Sequence, residues 1–216
     1  MPKPKVLVAG FGDTGVCCVA QLAAADDFEV IAVTPKPCHH SAQELGGRVA
    51  QPELWEELYL LPFAEYPKLD KIHIVQGVVT RLDLDAQVAT IEKADGERRE
   101  EPYDVLLISS GVSSGFWRTA KVETRESLLD TIRGEHARIA EADRVAVVGG
   151  GPSGVSAAYA VKQRFPDKEV SLFFTRDLVL PGYHQRVRRT LQARLHGCGV
   201  ALFPLHRAAL PRDVGR

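Results

Sequence analysis

Residues 144–159 read RVAVVGGGPSGVSAAY, and the fold class is decided there. Positions 145–148 form a short apolar, β-branched run without alternation, the pattern of a strand buried in a parallel sheet. The run ends in Gly149, Gly150, Gly151, Pro152, Ser153 and Gly154, a G-x-G-x-x-G sequence, and a helix of small residues follows. Gly149 permits the tight turn, Gly151 lets the backbone approach a pyrophosphate, and Gly154 allows close helix–strand packing. The N–H groups and dipole of the helix N-terminus then favour phosphate charge. The competing reading is a plain glycine turn; a strand before it and a helix after it favour the nucleotide site.

A second loop of this kind lies near the start of the chain. A strand over 5–9 (KVLVA) runs into Gly10, Phe11, Gly12, Asp13, Thr14 and Gly15, with helical composition over 16–25 and a strand over 28–33. This β-α-β unit places a dinucleotide at its first turn. An acidic residue that would bind ribose is expected where Thr34-Pro35-Lys36 stands. Asp13 brings a carboxylate into the phosphate loop, which like-charge repulsion disfavours unless it faces away. Lys36 is read either as a phosphate contact or as a surface lysine beyond the strand.

Between the two units, 71–75, 78–84 and 87–92 are short strands of a small antiparallel insert. Asp85-Ala86 and Ala94-Asp95-Gly96-Glu97 supply its turns. Residues 103–109 (YDVLLIS) form another buried strand, and 123–142 a long helix. After the second loop come a helix over 155–164, a strand over 169–174, a basic helix over 185–195 and a strand over 200–203. The fold class is α/β, with two Rossmann-like three-layer dinucleotide-binding units and a small antiparallel β insert.

Composition narrows the function. With 216 residues, 45% hydrophobic, 25% charged and a formal net charge of −1, the chain has material for one large or two small domains. Its charge balance argues against nucleic-acid binding. No apolar run reaches membrane-spanning length and no secretory signal opens the chain, so a cytoplasmic location is expected. Cys17, Cys18, Cys38 and Cys198 make no C-x-x-C pair. Cys17 and Cys18 fall on a helix packed against a sheet, where buried free thiols are common. His39-His40 lacks a third ligand at suitable spacing, which leaves a loop lining a cofactor pocket, or plain surface, as the reading. His136, His184, His196 and His206 are scattered, and no nucleophile–base constellation supports a non-redox enzyme.

The order of motifs resembles the pyridine nucleotide–disulfide oxidoreductase superfamily of FAD/NAD(P) enzymes. Within it, the chain is similar to apoptosis-inducing-factor-like, ferroptosis-suppressor-type NAD(P)H:quinone oxidoreductases. The resemblance is carried by VLVAGFGDTG at 6–15, the Lys36…His39-His40 loop, YDVLLISSG at 103–111, VAVVGGGPSGVSAA at 145–158 and FPDKEVSLFFTRDLVLPG at 165–182. It implies an FAD-binding domain over 1–118, using residues 10–15, Thr34, Lys36, His40, Val79 and the Ser109-Ser110-Gly111 turn. It implies an NAD(P)H-binding domain over 119–216, using residues 149–154 with Thr175 and Arg176. Arg176 in place of an acid favours the 2′-phosphate of NADPH. Ser156 replaces the family's glutamate, and no redox dithiol is present.

Set beside the family, the sequence stops at Arg216 without the returning FAD-domain segment, its G-D motif or the C-terminal domain. A fragment, a chain completed by a homo-oligomer or partner chain, or a protein that has lost flavin chemistry are the three expectations. Two functions compete. One passes hydride from NAD(P)H to flavin and on to a quinone-like or other small acceptor. The other is a degenerate nucleotide-binding module, without turnover, acting in assembly or regulation.

Overall fold

The structure, a computed structural model, describes residues 2–40, 45–111 and 121–209. Contacts divide the chain into two compact units: Met1–Ala42 with Glu56–Thr131, and Gln43–Trp55 with Ile132–Arg216.

The first unit begins with β1 (Lys5–Ala9), α1 (Asp13–Ala25) and β2 (Glu29–Thr34). β1 and β2 pair in parallel, Lys5 opposite Glu29 through Ala9 opposite Val33. Their near-continuous burial is what a sheet covered on both faces demands. The two-residue strands β3 (His39–His40) and β4 (Leu60–Leu61) pair antiparallel. Between them lie α2 (Leu45–Arg48) and α3 (Pro52–Leu54), both assigned to the second unit. Further on come β5 (His73–Gln76), β6 (Val78–Asp83), β7 (Val88–Glu92), β8 (Arg98–Pro102) and β9 (Val105–Ile108). The parallel sheet has the order β5-β2-β1-β9, and β6-β7-β8 form a separate antiparallel sheet. Thus the strand expected over 71–75 joins the parallel sheet rather than the insert. The insert's third strand is β8, whose RREEP sequence lacks apolar alternation.

In the second unit α4 (Arg125–Glu141), which begins in the first, leads to β10 (Arg144–Val148), α5 (Pro152–Arg164), β11 (Glu169–Phe173), α6 (Gln185–Gly197) and β12 (Val200–Phe203). Thr124 and Ser127 start α4 with reciprocal hydrogen bonds, each side-chain oxygen accepting from the other residue's N–H. The parallel sheet runs β10-β11-β12. Its core gathers Val155, Ala158 and Val161 of α5 with Val170, Leu172 and Leu195, and the inserted segment adds Ala50, which is fully buried.

Three expectations need correction. β10 and β9 are not buried strands: Val148 is 60% and Ile108 64% exposed. Among the described residues each lies at a sheet edge, where apolar character is present but a cover is not. Cys17 is exposed on α1, whereas Cys38 is the buried thiol. Its pKa is raised by burial, with the nearby cations Arg125 and Lys36 acting in the opposite direction. No helix among the described residues is long and apolar enough to cross a membrane.

Candidate functional site

Each parallel sheet carries one phosphate-type loop at the end of its first strand. In the first loop, Gly10 adopts φ +102° and packs against the backbone of Ser109 and Ser110 at the end of β9. The Ser109 hydroxyl donates to the Gly10 carbonyl at 2.6 Å. A Cβ on Gly15 would stand 2.5 Å from the same carbonyl oxygen, so α1 can approach only as glycine. In the second loop, Gly149 adopts φ +116°, and a Cβ on Gly154 would lie 1.9 Å from the Gly149 oxygen. These four glycines are explained by the chain's own backbone conformation and packing.

Gly12 and Gly151 are different. They cap the N-termini of α1 and α5 with ordinary extended backbone, φ −87° and −79°. A Cβ at either would meet no atom within 4 Å. Neither strain nor packing in the described chain requires glycine at these two positions. A pyrophosphate held by helix N-terminal N–H groups has the shape and charge to lie against such open backbone. The residues present therefore fit dinucleotide phosphates at both loops.

Other expected site residues divide into engaged and open ones. Phe11 is buried against Phe63, ring centroids 5.0 Å apart. Thr34 is buried, its hydroxyl accepting from the Lys36 N–H at 3.2 Å. Lys36 is no surface lysine: it is 7% exposed and ion-paired with Glu123. Burial pushes its ammonium pKa down to about 8, with the nearby Cys38 acting in the opposite direction. Val79 is half-buried on β6, where the pairing with β7 shifts register between Val79 and Arg81. His40 pairs through its backbone in β3, and its side chain lies outside the described part, as does Ser41. Thr14, Ser110, Gly111, Pro152 and Ser153 are exposed around the loops. Gly150 packs on Phe174, leaving no room for a Cβ. Thr175 and Arg176 are exposed just past β11.

Asp13 is held rather than free. Its carboxylate Oδ1 lies 3.0 Å from His39 Nε2, and His39 Nδ1 lies 2.5 Å from the Tyr66 hydroxyl. Sequence reading missed Tyr66 and Glu123, and it read His39 only as part of a loop without its partners, because each partner is distant along the chain. It also missed a cavity of about 380 Å³ in the second unit, lined by Pro152, Val155, Tyr159, Leu180, Tyr183 and Arg194. The Arg194 guanidinium sits over the Tyr159 ring at 5.3 Å. Ser156 also lines this cavity and meets Gly47 of α2 so closely that a Cβ there would be 2.7 Å from its Oγ. Among the described residues no cluster of three or more His, Cys, Asp or Glu could hold a metal.

Two parallel-sheet units, each with a glycine loop opening a helix, define a dinucleotide-binding α/β protein. Residues 4–208 match the sequence model of the pyridine nucleotide-disulphide oxidoreductase family, and the chain belongs to that family. The family is one of oxidoreductases whose members bind FAD and NAD(P)H. The chain is 26% identical to ferroptosis suppressor protein 1 of Xenopus tropicalis over 200 residues, 92% of this chain and 51% of that one. It is 35% identical to oxidoreductase OXR1 of Ajellomyces capsulatus over 124 residues, 55% of this chain and 26% of that one. Among solved structures it resembles an engineered water-forming NADPH oxidase, bound to NADPH and derived from the Lactobacillus brevis NADH oxidase. There the TM-score is 0.70 and the identity 22%, covering 94% of this chain and 47% of the other. The chain spans about half the length of the ferroptosis suppressor relatives it matches.

Proposed function

We propose that this chain is all or part of an FAD-dependent NAD(P)H oxidoreductase that uses a quinone-like or other small acceptor. The observation that carries the reading is the pair of open positions at Gly12 and Gly151, each at a helix N-terminus and each unexplained by packing. By its place in the chain, the first loop with Ser109, Ser110, Gly111 and Val79 is assigned to FAD. The second, with Thr175 and Arg176, is assigned to NAD(P)H. The chemistry these cofactors supply when bound is hydride transfer from reduced nicotinamide to flavin, followed by reoxidation by the acceptor.

The chain's residues bind and orient. Helix N-terminal N–H groups stabilise the diphosphates, and the Ser109–Gly10 bond fixes the first loop. Arg176 offers a charge-assisted contact to a 2′-phosphate, so NADPH is favoured. The solved NADPH oxidase supports this, since its conversion from an NADH enzyme includes an alanine-to-arginine change beside an aspartate-to-alanine change.

A second reading, a nucleotide-binding module without turnover, draws on Ser156. That position is occupied by close packing with Gly47 rather than by a carboxylate. The exposed Val105, Ile108 and Val148 further suggest a homo-oligomer or a partner chain. Absorption spectra of the purified chain with and without FAD decide the first point: flavin uptake is expected, and a colourless protein that takes up none overturns the FAD assignment. Arg176→Ala is expected to weaken NADPH by about tenfold and to leave NADH unchanged; equal NADPH affinity removes the 2′-phosphate role.

A further inference from the structure

The turn Leu180-Pro181-Gly182-Tyr183 forms one side of the cavity in the second unit, and its backbone is strained. Leu180 is buried with φ +56°, in the left-handed region that a residue with a side chain rarely adopts. Pro181 at the second position and Gly182, φ +91°, at the third have the pattern of a type II turn, closed by the Tyr183 N–H donating to the Leu180 carbonyl at 3.1 Å. Side chains of α6 hold the segment in place. Gln192 accepts the Val179 N–H at 3.2 Å, and Arg188 donates to the carbonyls of Leu178 and Val179, each at 2.9 Å. The Leu180 N–H donates to the Gly150 carbonyl of the second loop at 2.6 Å. The surrounding structure over-determines the strained residue, so this wall of the cavity is preformed.

The cavity of about 380 Å³ has apolar sides of Val155, Leu180, Leu191 and Leu195. Two rings, Tyr159 and Tyr183, complete its walls, and Tyr183 is 52% exposed. Among the described residues that line it, Arg194 is the one cation. Its Nη2 donates to the Tyr159 hydroxyl at 3.3 Å, and its guanidinium lies 5.3 Å from the centre of that ring. Among the described residues it meets no carboxylate, whereas Arg188 is spent on Asp177 and on the carbonyls of the turn segment.

We propose that this cavity is a binding site for a small aromatic carboxylate, its rings among the leucines and tyrosines and its charge on the Arg194 fork. An apolar pocket with few convergent polar groups is the usual form of a small-molecule site. A cavity of about 150 Å³ takes a benzene ring, so this volume suits a molecule of two fused rings. A guanidinium has five N–H donors in a fixed plane and pairs a carboxylate through two parallel hydrogen bonds. The Tyr159 ring under Arg194 holds that plane. A neutral occupant makes no use of the fork, and inorganic phosphate makes no use of the apolar walls. The proposal does not depend on assigning either glycine loop to a cofactor.

The test is a calorimetric titration of the full chain, without added nucleotide, using naphthalene-2-carboxylate and its neutral counterpart naphthalene-2-carboxamide. The carboxylate is expected to bind one-to-one and about tenfold more tightly than the amide. Arg194→Met should lower the carboxylate to the affinity of the amide and leave the amide unchanged. Tyr183→Ala should weaken both compounds by about threefold to tenfold. Both replaced side chains belong to exposed residues, and circular dichroism checks that the variants fold. Equal affinity for the two compounds on wild type, full carboxylate affinity in Arg194→Met, or no saturable binding overturns the proposal. One-to-one displacement of the carboxylate by NADH or NADPH also overturns it, because the cavity then belongs to the ligand of the second loop; the cofactor reading survives that result. Should Arg194→Met fail to fold, the two compounds on wild type and the displacement titration decide by the same criteria.

Discussion

Replacing Gly151 and Gly154 separately by alanine should split binding from folding within a single loop. Gly151 has backbone angles open to any residue, and an added methyl would meet nothing within 4 Å. Alanine there gains about 0.4–1 kcal/mol by restricting the unfolded chain. It loses a similar amount because alanine is a poor N-cap. Net stability should stay within about 1 kcal/mol of wild type. NAD(P)H affinity should nevertheless drop by tenfold or more, because the methyl stands in the space assigned to phosphate. Gly154→Ala should behave oppositely. Its Cβ would lie 1.9 Å from the Gly149 oxygen and 3.0 Å from the Gly149 carbon, both backbone atoms of a turn held at φ +116°. Helix propensity returns about 1 kcal/mol, while forced movement of packed backbone costs about 3 kcal/mol or more. A net loss of about 2 kcal/mol corresponds to a fall in Tm of roughly 4–8 °C for a chain of this size. Thermal melts and NAD(P)H titrations of the two variants decide it. Full affinity in Gly151→Ala would refute the phosphate assignment, and a wild-type melt in Gly154→Ala would refute the steric argument.

Other consequences can be checked with the same preparations. Lys36→Met leaves Glu123 unpaired at 10% side-chain exposure and should cost about 3–5 kcal/mol, seen as a lower urea midpoint that Lys36→Met/Glu123→Leu largely recovers. Burial holds Lys36 at about 8 rather than its ordinary 10.5. Between these values the unfolded chain keeps a proton that the folded chain has released, so this group makes stability rise with pH, and the rise should vanish in Lys36→Met. Ser109→Ala removes the 2.6 Å bond to the Gly10 carbonyl; a loss of about 1 kcal/mol and weaker FAD binding are expected, by thermal shift and flavin titration.

The two glycine loops were legible because their demands are local: a tight turn, a close helix and a short strand leave a signature within a dozen residues. Helix starts were read late, at 16 and 155 rather than at Asp13 and Pro152, since first turns rich in glycine and proline resemble loop. Lys36 could not be resolved from sequence, because its partner Glu123 stands 87 positions away. The same holds for His39, 26 positions from Asp13 and 27 from Tyr66. β9 and β10 show a different limit. An apolar run reports affinity for a sheet, but what covers each face is settled by the rest of the assembly.

The excursion of residues Gln43–Trp55 into the second unit governs how the chain can be built and cut. This segment leaves the ribosome early, yet Ala50 and Gly47 pack with a core whose α5 is synthesised about a hundred residues later. The second unit cannot complete its core during synthesis until α5 and β11 have emerged, and the first is interrupted while it waits. A cut at 118/119 would separate the segment from its partners, leaving the place of Ala50 bare. Neither half is a contiguous module that can be expressed alone with its interior intact.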